Sequence, residues 1–270
     1  MDRGGGGDGD DRPLYYLHVP HSAGTTLSEI LERRYRDDEL FPGGLLPSLL
    51  DLSPEELARF RLFRGHFGLV LPARLGWRLH VITLLRDPLE QALALFGFMR
   101  RSPTHYFHGR VNAPGYGVSD FLRDPVCRPL IENHMTRFLA FEPTEAHWAW
   151  VAPIDRSDPR YAQAVFELCP MRMDGAELRD RAAATLARLD VVGITERLDD
   201  TLVVLARAMG WPPLGPPGHL NATPGRVRFS DLDEADAARL CELKAVDVEV
   251  YGMAVHRMAT DLQLAARPEG

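Results

Sequence analysis

The sequence predicts an α/β protein in three layers, a central parallel sheet flanked by helices. Two observations predict it. Short β-prone runs alternate along the chain with segments of helical periodicity, the pattern of strand-helix-strand units. The run at 79–85, LHVITLL, is apolar almost without a break, as strands covered on both faces are. Residues 1–12, MDRGGGGDGDDR, hold five glycines and four aspartates with little to bury, and are expected to form a disordered tail. Residues 13–264 are expected to form one domain. A strand is expected at 14–19, ending at Pro20, and a helix at 24–35 with Leu27, Ile30 and Leu31 on one face. Further strands are expected at 61–64, 79–85 and 190–193. Helices are expected at 88–99, 119–122, 129–141, 196–209, 231–243 and 246–258. The stretch 142–170, rich in Trp and Pro, reads as an irregular lid or substrate loop. In such a sheet a ligand belongs at the C-terminal ends of the strands.

Composition limits the function. A formal net charge of -7 argues against sequence-blind nucleic-acid binding, which needs a dense cationic surface. No apolar run reaches the length of a membrane span, and no basic-then-apolar leader opens the chain, so a cytosolic protein is expected. Cys127, Cys169 and Cys241 have neither metal nor disulfide spacing and are expected to be reduced. Of 31 basic residues only Lys244 is a lysine, a sign of codon bias.

The segment LHVPHSAGTTL, 17–27, puts a tight turn and two hydroxyls between a strand and a helix. Turn amides and the positive end of the helix dipole can hold an anion there, which Thr25 and Thr26 can complete. The spacing is not that of a Walker loop, which disfavours a kinase. Without further support the same segment is an ordinary turn capped by threonine.

Further support comes from five motifs. HVPHSAGTT resembles the HxPKTGGTS-type phosphosulfate loop of sulfotransferases that use 3′-phosphoadenosine-5′-phosphosulfate (PAPS), among them bacterial enzymes and those related to heparan sulfate 2-O-sulfotransferases. LFRGHF (62–67) resembles their Gly-His segment, and VITLLRDPLEQALAL (81–95) their RDPxxRxxS element. NHMTRFL (133–139) resembles their N-x-x-T-R-x-L helix. VGITERLDDTL (192–202), then Asn221 and DVEVY (247–251), resembles their C-terminal third. The similarity runs in order over residues 14–258.

The resemblance implies a P-loop-type fold, PAPS as donor and no metal. It assigns the donor to His21, Ser22, Ala23, Gly24, Thr25 and Thr26, with Arg86 and the Ala94 position gripping the 3′-phosphate and Arg226 and Arg228 closing over the nucleotide. It makes His66 the general base, as histidine titrates near neutrality. Asn133 and Arg137 fall where the acceptor is bound, and Glu132, Glu196 and Asp247 also match. Three departures stand out: His21 replaces the loop lysine, Gln91 an arginine and Ala94 a serine. Codon bias would have put arginine at 21, so His21 is expected either to act as an imidazolium or to mark weakened donor chemistry. The expectation is transfer to a hydroxyl or amine of a small metabolite, by a soluble enzyme with no nucleic-acid or membrane partner. A nucleotide-binding module that has lost transfer is the alternative.

Overall fold

The computed structural model describes residues 11–158, 160–215 and 226–266; the expectations placed on residues 1–10, on Asn221 and on the rest of 216–225 lie outside the described residues. Four strands, β1 (Leu14–Leu17), β2 (Leu62–Gly65), β3 (His80–Leu85) and β4 (Val191–Ile194), form a sheet in the order β2-β1-β3-β4. Every pairing is parallel, with Leu14 opposite both Leu62 and His80, and Ile82 opposite Val191.

Alternation along the strands divides the core into two layers of helices. Tyr15, Leu17, Val81 and Val192 face α3 (His134–Ala140), α4 (Gly175–Arg188) and α7 (Ala245–Ala265). Leu14, Tyr16, Ile82 and Val191 face α1 (Gly24–Glu32) and α5 (Leu198–Ala208). The sheet is therefore flanked by helices on both faces. A third apolar cluster joins α2 (Pro88–Arg101) to α6 (Glu234–Leu243). Asp87 caps α2 by accepting from the Leu89 and Glu90 amides, and Pro88 occupies its first position.

Two expectations are corrected, and one helix is added to them. Residues 129–141 are not one helix, because Asn133 adopts a left-handed φ of 45° and separates a turn at Arg128–Ile131 from α3. Asparagine tolerates that conformation better than most residues. The stretch 142–170 is not irregular; it contains a helix at Glu145–Val151, a turn at Arg160–Gln163, a π-helix at Ala164–Leu168 and the start of a 3-10 turn at Cys169–Arg172. Pro143 and Pro153 flank the first of these short helices. Finally, α4 was not anticipated, since its buried stripe is only Leu178, Ala182, Thr185 and Leu186 among charged and small residues.

Among the described residues no helix is long and apolar enough to cross a membrane. Cys127, Cys169 and Cys241 are free thiols, the first two buried.

Candidate functional site

The connections leaving β1 and β3 run to opposite sides of the sheet, so a crevice opens where their C-terminal ends lie side by side. The loop from His18 to Gly24 follows β1 there. His21 and Ala23 both hold left-handed backbone, with φ of 64° and 56°. Such conformations cost about 1 kcal/mol or more in residues other than glycine and persist only where the surroundings enforce them.

The enforcing contacts are three side chains from three elements. Gln91 Nε2 on α2 donates to the Pro20 carbonyl at 2.8 Å. Arg86 Nη1, just after β3, donates to the His21 carbonyl at 3.3 Å, and Thr195 Oγ1, just after β4, donates to the Ser22 carbonyl at 3.0 Å. In a planar trans peptide the N–H points opposite to the C=O. Tying back three consecutive carbonyls therefore aims the amides of His21, Ser22 and Ala23 the other way. The first-turn amides of α1 add to them, because the residue before that helix is Ala23, whose side chain cannot cap. Gly24 is required by close packing: a methyl group on it would sit 1.8 Å from His18 Nε2.

A cavity of about 600 Å³ opens beside this loop. His21, Ala23, Gly24, Thr25, His66, Arg86 and Ala94 line it. Of the other residues expected at the donor, Ser22 and Thr26 are buried beneath the loop, and Ser22 Oγ has no hydrogen-bond partner. Among the described residues Arg86 has no carboxylate partner, so its guanidinium keeps donors for an anion. Arg226 is instead paired with Glu90 at 2.9 Å, and Arg228 is exposed; neither lines the cavity.

Five histidines, His18, His21, His66, His105 and His134, line the walls. His66 Nδ1 lies 2.8 Å from the His18 carbonyl oxygen, which can only accept. Nδ1 therefore carries the proton, and Nε2 keeps its lone pair. The His66 ring lies 4.4 Å from His18, whose ring stacks on Tyr16 at 5.2 Å. Burial pushes the pKa of His66 down, and that of His18 and His134 well below the usual range. Burial, then the charges of His66, His105 and Lys244, bring His21 down to about 3. The expected imidazolium at His21 is thus a neutral imidazole in the unliganded protein.

The remaining motif residues hold the frame. Asn133 Oδ1 accepts from the amides of Val246 and Asp247, capping α7. Arg137 is fully buried, donating to the carbonyls of Glu167 and Pro129. Glu196 accepts from the Asp87 amide and the Tyr251 hydroxyl, and Glu132 pairs with Arg128. Asp247 accepts from Thr136 and from Lys244 Nζ at 2.7 Å. Lys244 also reaches Gln91 Oε1 at 3.4 Å, so the only lysine sits behind the loop, one side chain away from the Pro20 carbonyl.

Sequence reasoning missed Lys244 as part of the site, although its uniqueness was a usable signal. It also missed Glu167, Tyr106 and Phe98, which line the cavity and carry no motif. Among the described residues no group of three or more His, Cys, Asp or Glu is placed to hold a metal ion. No family model matches the chain, and no curated protein matches it.

Proposed function

We propose that the chain is a sulfotransferase of P-loop-type fold that passes a sulfuryl group from PAPS to a hydroxyl or amine of a small molecule. The observation that carries the reading is the set of three tied-back carbonyls, at Pro20, His21 and Ser22, which turns the loop amides toward an anion beside Arg86. A 600 Å³ cavity at that point falls within the roughly 300–1,000 Å³ of ordinary ligand sites. The nucleotide supplies the sulfuryl group. Loop amides, Thr25 and the α1 N-terminus neutralise its 5′-phosphate, while Arg86 offers a fork of donors to the 3′-phosphate. His66 Nε2 takes the acceptor's proton as the new bond to sulfur forms, and its lowered pKa keeps that nitrogen unprotonated at neutral pH.

A second reading, a binding module without transfer, is favoured by one observation: the imidazole at the lysine position is uncharged. Release of 3′,5′-adenosine bisphosphate from PAPS separates the two. Acceptor-dependent release that His66→Asn abolishes supports transfer. Tight bisphosphate binding with no release, with or without hydroxyl and amine acceptors, supports the module.

A further inference from the structure

We propose that the part of the cavity lined by the π-helix at Ala164–Leu168 is a subsite for a cationic amine carried on an aromatic or alicyclic body, with Glu167 as its counter-ion. Calling this ligand the acceptor rests on the sulfotransferase reading; the subsite itself does not.

The cavity lining carries few charged groups. Its guanidinium groups, Arg86 and Arg101, belong to β3's end and to α2, whereas the only carboxyl group among the described lining residues is Glu167. Two series of ring contacts run from the loop side toward it. One passes from His66 to Phe138 at 6.4 Å and on to Phe166 at 4.9 Å. The other passes from His21 to Phe98 at 5.3 Å, then to His105 at 5.8 Å and Tyr106 at 4.4 Å. The walls there are therefore aromatic rings, whose phenylalanine faces hold a hydrocarbon body and attract a cation.

Glu167 is carried by the π-helix at Ala164–Leu168, an expensive geometry that recurs at functional sites. Its carboxyl group is incompletely satisfied. Gln163 and Tyr106 approach it, but Oε2 is buried without a well-formed hydrogen bond. The nearby Arg137 charge offsets part of the burial, but neither neighbouring base hydrogen-bonds the carboxyl group. His134 Nε2 lies 4.0 Å from Oε1 and is held neutral by burial. Arg137 donates instead to the carbonyl oxygens of Glu167 and Pro129. Burial raises the carboxyl pKa to about 8, so an entering ammonium is what restores its charge. An ammonium held here has no lone pair and is a recognition handle; the group that receives sulfuryl lies elsewhere on the ligand, near His66.

The test is calorimetric titration of the full chain at pH 7 with 2-phenylethylamine, 2-phenylethanol and 3-phenylpropanoate, and separately with 3′,5′-adenosine bisphosphate. The amine is expected to bind at least tenfold more tightly than the alcohol, and the carboxylate not at all. Glu167→Gln is expected to erase the amine's advantage while leaving bisphosphate affinity unchanged. Equal binding of amine and alcohol by the unaltered protein overturns the proposal, whatever the variant does. So does an amine preference that survives Glu167→Gln. Absence of bisphosphate binding alongside the amine preference would overturn the donor reading and leave the subsite standing.

Discussion

His66 Nδ1 lies 2.8 Å from the backbone carbonyl oxygen of His18, and this one bond decides which nitrogen of the imidazole can act as a base. Nε2 is left with its lone pair on a ring that lines the cavity. The same bond ties the end of β2 to the loop after β1.

His66→Asn keeps an amide donor for the His18 carbonyl and removes Nε2. Turnover is expected to fall roughly 100-fold or more, the usual scale for a lost general base, with bisphosphate affinity within about twofold. Steady-state kinetics and calorimetry check this; unchanged turnover would return His66 to a structural role.

Arg86→Ala removes a charge-assisted donor pair. It is expected to weaken 3′,5′-adenosine bisphosphate by about 2 kcal/mol, near thirtyfold, while adenosine 5′-phosphate loses less, through the lost His21 carbonyl tether alone. Equal weakening of the two nucleotides would show that Arg86 does not read the 3′-phosphate.

Because His21 is brought down to about 3, donor affinity is expected to be flat between pH 7 and 8.5, where the imidazole is neutral throughout and the phosphates are fully ionised. His21→Lys adds a cation at that place and is expected to tighten binding. An alkaline fall in wild-type affinity that His21→Lys removes would restore the imidazolium expected from sequence.

Stability is expected to fall in acid. His18, His21, His66, His105 and His134 all have lowered pKa values in the folded state. Below about 6.5 the unfolded chain binds protons that the native state refuses, so each of the buried four contributes up to about 1.4 kcal/mol of lost stability per pH unit and the half-buried His105 less. Glu167, raised to about 8, acts with the opposite sign between about 4.5 and 8, one group against five. Thermal melting should therefore show the midpoint dropping from pH 7 to 5; a constant midpoint would contradict the buried neutral cluster.

Lys244→Met leaves Asp247 buried without its cation, for a loss of about 3–5 kcal/mol. Lys244→Met combined with Asp247→Asn is expected to recover part of that loss in denaturant unfolding. A double variant no more stable than the single would mean that the pair is not the source of the effect.

Much of the frame was legible because parallel strands announce themselves as short apolar runs, and 79–85 was placed within one residue of β3. The loop was legible through its turn and the helix after it. What sequence could not show was distance in space. Asn133 reads as a ligand residue in a motif, yet its Oδ1 accepts from amides 113 and 114 residues later, and its αL backbone splits the helix expected there. Glu167 sits in a stretch broken by prolines, where no period of two or 3.6 survives to announce a wall of a site. Lys244 was visible as a compositional oddity, but its partner Gln91 lies 153 residues away. Sequence left the charge state of His21 open for the same reason, since burial, which depends on the whole fold, sets it.

The most direct measurement is calorimetric titration of the unaltered protein with 3′,5′-adenosine bisphosphate and with adenosine 5′-phosphate at pH 7.5. Loop amides that hold one phosphate and an Arg86 fork that holds the other predict one site per chain for the bisphosphate, with the monophosphate at least about tenfold weaker. No binding of the bisphosphate, or equal affinity for the two nucleotides, would contradict the account.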